Sequence, residues 1–237
     1  LAAVSSVPQS VVDPIETFDA NLRGTWTVLE QARLARIKRV VFISSASVYG
    51  ADAPVPFKET LPLKGRSPYA TTKLLGEQLC DLYLRLYGLE TVALRLFSVY
   101  GPRQNPRSQY ANVIPAFATR VLTGVPPTIY GDGRQTRDFI YVGDVAKALV
   151  KASILRNVVG EVINFGSGKQ TSVNDLLKYV QKALGTSLMP QYAPLKAGDD
   201  PRTLADTRKA RRYLGITKLT PFDVALTQTC VWFRDND

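Results

Sequence analysis

Twice before residue 100 a stretch with helical period runs straight into a short, nearly continuous apolar run rich in β-branched residues. Asp19 to Ala35 has the helical period, and Lys38 to Ser45 (Lys-Arg-Val-Val-Phe-Ile-Ser-Ser) then has the composition of a strand buried on both faces. Tyr69 to Tyr87 is helical again, Gly88 is placed to cap it, and Glu90 to Phe97 (Glu-Thr-Val-Ala-Leu-Arg-Leu-Phe) is a second strand of the same kind. Helices that feed parallel strands, covered on both faces, define a doubly wound α/β sheet.

After Gly101-Pro102 the texture changes. Gly131-Asp-Gly-Arg reads as a turn, Ile140-Tyr-Val as a short strand, Val142 to Leu155 and Ser172 to Leu184 as helices, and Val162 to Gly166 as a strand. This second half reads as a smaller lobe laced through the sheet domain, with a soft boundary near residue 100. A chain of 237 residues that is 45% hydrophobic, with 16 Gly and 15 Pro dispersed, can fill a core, and disorder or a collagen-like repeat is excluded. No apolar run approaches the roughly 18 residues a membrane span needs, and Leu1 to Ser6 lacks the pattern of a signal peptide, so a soluble, cytoplasmic protein is expected.

The chain contains no His, and its cysteines are Cys80 and Cys230. That excludes a Ser-His-Asp triad, a Cys-His pair and a zinc cluster of the usual ligands, so no metal site is expected. Acid–base chemistry falls to Tyr, Lys, Asp or Glu. The 30 Lys and Arg against 20 Asp and Glu give a formal charge of +10, but the basic residues are scattered and form no long run. This argues against nucleic acid and suits a small phosphate-bearing substrate.

Tyr69 and Lys73 stand four apart in Ser67-Pro-Tyr-Ala-Thr-Thr-Lys, where Pro68 favours a helix start, so both side chains share one helix face. A phenol beside an ammonium is a tunable base: lowering a Tyr pKa from about 10 to about 7 takes roughly 4 kcal/mol of differential stabilisation. A lone Tyr-x-x-x-Lys is common by chance. Here it follows Ser44-Ser45-Ala46-Ser47-Val48-Tyr49-Gly50, which puts hydroxyls at the carboxyl edge of the sheet, where open α/β folds bind ligands.

With Asn21-x-x-Gly24-Thr25, Arg95-x-Phe97-Ser-Val-Tyr-Gly-Pro102, Gly131-Asp-Gly-x-Gln-Thr-Arg-Asp-Phe139 and Ala205-Asp206-x-x-Lys209-Ala210 added, the chain resembles, nearly end to end, the extended short-chain dehydrogenase/reductase family. Within that family it is most similar to the NAD-dependent nucleotide-sugar epimerases of the UDP-glucose and UDP-N-acetylglucosamine 4-epimerase type. The resemblance implies a Rossmann-type sheet, with residues 1–100 as the remainder of the NAD-binding domain. Residues 101–237 would be mainly a nucleotide-sugar-binding lobe, with segments returning to the sheet.

It further implies that Tyr69 is the base, that Lys73 holds the nicotinamide ribose and depresses the Tyr69 pKa, and that Ser45 bonds the reacting sugar hydroxyl. Leu1, Ala2, Ala3, Ser44 and Phe97 would line NAD, and Asn21 has a structural or proton-relay place. Ser5, Ser6, Ser98, Asn112, Val113, Thr128, Tyr130, Arg137, Lys196, Asp199 and Thr203 would line the UDP-sugar. The implied reaction removes the 4-hydroxyl proton and the C4 hydride, rotates a 4-keto sugar, and returns the hydride to its other face. The helices at Asp19 to Ala35 and Tyr69 to Tyr87 would build a homodimer through a four-helix bundle.

The departures from the family are informative. Ser98 replaces a common Asn and Lys196 a common Arg, which weakens a bidentate clamp that Arg202 could supply. Thr203 is small where a bulky residue restricts the pocket to plain hexoses, and Ser6-Val7-Pro8 is similar to the branch that accepts UDP-N-acetylhexosamines. Ala46 and Ser47 stand where dehydratases and decarboxylating relatives carry acids, which favours epimerisation over elimination. UDP-glucuronate, or the substrate of another nucleotide-sugar-modifying relative, is the alternative. No Gly-rich pyrophosphate loop occurs in the sequence, so about 70–80 family residues are expected ahead of Leu1. A non-catalytic remnant acting as a binding module is the reading of a different class.

Overall fold

A computed structural model describes residues 3–106, 112–195 and 201–236. Ser6 and Asp13 cap two short helices, α1 (Val7–Val12) and α2 (Pro14–Phe18), through side-chain oxygens that accept from Gln9 and Glu16 amides. A π-helical turn, Asp19–Arg23, joins α2 to α3 (Gly24–Leu34), which leads into β1 (Arg39–Ser45) and the 3-10 turn Ala46–Tyr49. The helix α4 (Pro68–Tyr87) has Pro68 in its first turn and Gly88 in the left-handed C-cap, as the sequence predicts, and Ser67 as N-cap. Then come β2 (Glu90–Leu96), β3 (Ser98–Tyr100), α5 (Val113–Leu122), β4 (Thr128–Tyr130), β5 (Thr136–Arg137), β6 (Phe139–Tyr141) and α6 (Val142–Ile154). The chain ends with β7 (Val162–Phe165), β8 (Thr171–Ser172), α7 (Val173–Leu184), β9 (Gln191–Ala193), α8 (Arg208–Leu214) and α9 (Phe222–Asn236).

The strands β1, β2 and β7 form a parallel sheet in that order, with Ser44 opposite Arg95 and Ser45 opposite Leu96. Because side chains alternate along a strand, Val40 and Phe42 face α3 and α4, while Val41 faces the side covered by α6 and α8. Helices on both faces make the sheet doubly wound, as expected from sequence. One expectation needs correcting: β1 is mostly half-buried rather than fully buried. Among the described residues it pairs with β2 alone and is an edge strand.

A second core gathers Ile114 and Phe117 of α5, Leu176 and Val180 of α7, and Leu226 and Cys230 of α9. Around it lie three two-stranded pairings: β3 with β6 and β4 with β9 in parallel, and β5 with β8 antiparallel. Among the described residues no helix is long and apolar enough to cross a membrane.

Candidate functional site

The candidate residues gather at the carboxyl ends of β1 and β2. Ser45 closes β1, and its Oγ accepts from the Ser47 amide (3.2 Å) and the Ser47 hydroxyl (3.0 Å), which fixes the 3-10 turn that follows. Opposite stands the first turn of α4, held by the Ser67 Oγ, which accepts from the Ala70 amide at 3.1 Å. The four-residue spacing works as the helix period requires: Lys73 Nζ lies 5.7 Å from the Tyr69 ring centroid. The Ser45 hydroxyl lies close enough to the Tyr69 phenol to favour its ionisation.

Lys73 is 7% exposed and donates to the Ile43 carbonyl at 2.9 Å, with the Phe42 ring 5.3 Å away. Burial brings its ammonium down to about 8. Burial also pushes the Tyr69 phenol above its ordinary value, and the Ser45 hydroxyl pulls it back. The Lys73 ammonium points at the strand carbonyl, so burial and the Ser45 hydroxyl set the direction of the Tyr69 shift.

Several elements outside the sequence expectation hold this arrangement. Glu77, one turn beyond Lys73, takes both prongs of the Arg95 guanidinium (2.9 and 2.7 Å) and a short bond from the Ser44 hydroxyl. Arg95 donates on to the Tyr49 hydroxyl (2.8 Å), which donates to Asn164 of β7 (2.7 Å). Asp138 is fully buried and accepts from the Ser167 amide and hydroxyl (2.6 Å each), the Gly168 amide (3.0 Å) and the Ala205 amide (2.9 Å). The signals were in the sequence: Arg95 is a charge inside an apolar strand, and Asp138 sits between Arg137 and Phe139 in the turn motif.

The remaining predicted residues fall into groups. Phe97, one residue past the end of β2, is buried against Phe57, with ring centroids 6.0 Å apart. Ser98 donates its amide to the Asp138 carbonyl at 3.0 Å, joining the sheet to the lobe. Thr203 is 8% exposed and its hydroxyl accepts from the Asp138 amide at 3.2 Å, one residue from Arg137. Asn21 accepts from the Val4 amide (2.8 Å) and donates to the Val4 carbonyl (2.9 Å) and to Thr72 (3.2 Å), tying the segment before α1 to α4. In that segment Ala3 and Ser5 are exposed.

In the lobe, Asn112 is exposed ahead of α5, Val113 packs against the second core, and Thr128 and Tyr130 end β4. Leu1, Ala2, Lys196 and Asp199 lie outside the described residues.

A comparison with protein-family models places residues 1–166 in the NAD dependent epimerase/dehydratase family. The chain belongs to that family, and NAD is its cofactor. It is 38% identical over its whole length to a putative UDP-glucose 4-epimerase of Methanocaldococcus jannaschii, of which it covers 76%. A UDP-glucose 4-epimerase of Mycolicibacterium smegmatis is 36% identical over 99% of the chain and 75% of the relative. Among solved structures, a UDP-N-acetylglucosamine 4-epimerase from Methanobrevibacter ruminantium M1, in complex with UDP-N-acetylmuramic acid, superposes with a TM-score of 0.95 at 36% identity, covering all of this chain and 76% of that one.

The residues present fit the nicotinamide end of NAD. Lys73 uses one hydrogen on Ile43 and has no carboxylate partner among the described residues, which leaves donors for ribose hydroxyls.

Proposed function

We propose that the chain carries the catalytic residues of a UDP-hexose 4-epimerase, with Tyr69 as the base. What carries this is the meeting of Ser45, Tyr69 and Lys73 at the carboxyl ends of β1 and β2. Bound NAD supplies the acceptance and return of hydride at C4. The chain does the rest. Ser45 orients the 4-hydroxyl, Tyr69 takes its proton and later gives it back, and Lys73 holds the ribose and stabilises the phenolate. Desolvation raises both the worth of that stabilisation and the need for it, because a buried phenol releases its proton only beside a positive charge.

Phe97 lines the nicotinamide side, together with Ser44 and the segment around Ala3. Arg137 meets the diphosphate through its fork of donors. Residues 1–100 serve NAD and residues 101–237 chiefly the nucleotide sugar. UDP-glucose and UDP-galactose are the substrates, and the short side chain of Thr203 supports admission of UDP-N-acetylhexosamine as well. The same reading keeps the protein in the cytoplasm. It also makes it a homodimer, supported by the exposed apolar residues Trp26 and Leu34 on α3 and Leu82 and Leu86 on α4.

The natural protein in full, incubated with NAD and separately with UDP-glucose, UDP-N-acetylglucosamine and UDP-glucuronate, tests this by NMR of the sugar products. A C4 epimer is expected from the first two. Tyr69→Phe should lower turnover by roughly three orders of magnitude or more with the fold intact. Near-normal turnover in that variant refutes the role of Tyr69.

A further inference from the structure

Three consecutive residues of β1 address one residue each on a single face of α4. The Ile43 carbonyl takes Lys73, the Ser44 hydroxyl bonds Glu77, and the Ser45 hydroxyl lies by the Tyr69 phenol. Two of these three contacts belong to the reaction proposed above; the third does not. Glu77 sits two turns from Tyr69 and is bound to Arg95 so completely that their side chains are 6% and 4% exposed. Arg95 stands opposite Ser44 in the sheet register and reaches across to Tyr49, and through it to Asn164 of β7. One ion pair thus joins α4, β1, β2, β7 and the turn that follows Ser45.

Such a pair is a poor device for stability alone. Removing two charges from water offsets most of their attraction, and apolar side chains of similar volume could hold a helix on a sheet as well. Two things apolar residues cannot do are fix a helix's rotation through directed bonds and cancel a charge. Both matter here. Among the described residues the cation set against the Tyr69 ring is Lys73, and the next turn of α4 carries Glu77, held to Arg95 of β2 and through it to Tyr49 of the 3-10 turn. From β1 come a carbonyl and two hydroxyls, and the neighbouring Thr72 turns to Asn21.

We propose that Glu77 and Arg95 are positioning residues of the epimerase reaction. Glu77 locks α4 so that Tyr69 meets Ser45, and by neutralising Arg95 it leaves Lys73 as the uncompensated cation beside the phenol. This rests on Tyr69 being the base.

The test uses the full natural protein loaded with NAD and labelled with carbon-13 at the Tyr ring ζ position. Tyr69→Phe assigns the Tyr69 signal, which is titrated without substrate, and kcat and KM are measured separately. Glu77→Gln leaves the guanidinium unopposed, so the Tyr69 midpoint should fall. Arg95→Met leaves the carboxylate unopposed, and the midpoint should rise. In each, kcat should drop about 10- to 100-fold with KM within about threefold, as expected for lost alignment rather than lost binding. The double variant should recover the wild-type midpoint and keep the low kcat.

A merely structural role predicts no opposed shifts. Midpoints that stay put, or move the same way in both single variants, overturn the proposal. Should neither single variant fold, the double variant decides, since it carries no unpaired charge: a wild-type midpoint with low kcat supports the proposal, and an unchanged kcat overturns it. Failure of the base assignment is read separately, from normal turnover by Tyr69→Phe, because the midpoints do not depend on turnover.

Discussion

Gly76 lies between Lys73 and Glu77 on α4, and its missing side chain is what lets the helix rest on β1. A Cβ built there would come within 2.9 and 3.0 Å of two Phe42 ring carbons and closer still to Cζ, where ordinary contact begins near 3.4 Å. Gly76→Ala therefore forces the ring and the helix apart by about 1 Å at Cζ. Helix propensity opposes this, since Gly to Ala in a helix interior stabilises by about 1 kcal/mol. Overpacking costs about 1–3 kcal/mol, so the net loss is about 0–2 kcal/mol, modest for the fold. The site should suffer more. If ring and helix share that movement, α4 shifts by about half an ångström against Ser45, which on the proposed mechanism should lower kcat by roughly tenfold, given that about 1 Å can cost a hundredfold. Thermal melting and steady-state kinetics on the natural protein check both figures, and Phe42→Leu in the same chain should restore part of the rate. Gly88→Ala is the control. A Cβ there meets nothing within 4 Å, but φ is +69°, so about 1 kcal/mol of strain should appear with kcat unchanged. A Gly76→Ala variant that melts higher and turns over normally would show that Phe42 swings aside freely, and the packing argument fails.

Two further outcomes follow from the same site and surface. Lys73 titrates near 8 when folded against 10.5 as a free side chain, so the folded state bears the burden of a buried charge fully below pH 8 and sheds it as pH rises to 10.5. The stability of Lys73→Met relative to wild type should therefore fall by about 3 kcal/mol across that window, and a flat difference in urea unfolding at pH 7.5 and 10 refutes the shift. If α3 and α4 pair across a dimer, Trp26→Arg with Leu86→Arg, at positions 58% and 63% exposed, should halve the mass seen by analytical ultracentrifugation while leaving the melting of the fold nearly intact; an unchanged mass refutes that interface.

The sheet was legible because its strands are short apolar runs fed by periodic helices, a pattern two buried faces impose. Pro68 and Gly88 announced the ends of α4 through backbone geometry that few residues satisfy. The helices α1, α2, α5, α8 and α9 were not anticipated. α1, α2 and α8 have 6, 5 and 7 residues, too short for a period to show, and α5 contains Pro115, which reads locally as a break. At the site, spacing along one helix disclosed Tyr69 and Lys73. The partners of Arg95 did not show, because Glu77 is 18 residues away and Tyr49 is 46, brought together only by strand register. β1 is half-buried where the sequence reads as a fully buried strand, because among the described residues it pairs with β2 alone.

The handling of buried cations separates structure from chemistry in this chain. Arg39, its side chain 6% exposed, pairs with Glu90 and donates to the carbonyls of Ala152 and Leu155 at the end of α6. Arg95 has Glu77. Each of these guanidiniums meets a carboxylate and directed acceptors, which is the condition for a buried charge to be tolerated. Lys73 meets one carbonyl and an aromatic face, and its ammonium is correspondingly loosened toward neutrality. Glu77 lies one turn away and could have served it, yet the carboxylate is committed to Arg95. An ammonium denied the nearest carboxylate keeps its donors and, below about pH 8, its charge for whatever enters the site, and a phenol that burial holds protonated is the group that gains most from that charge.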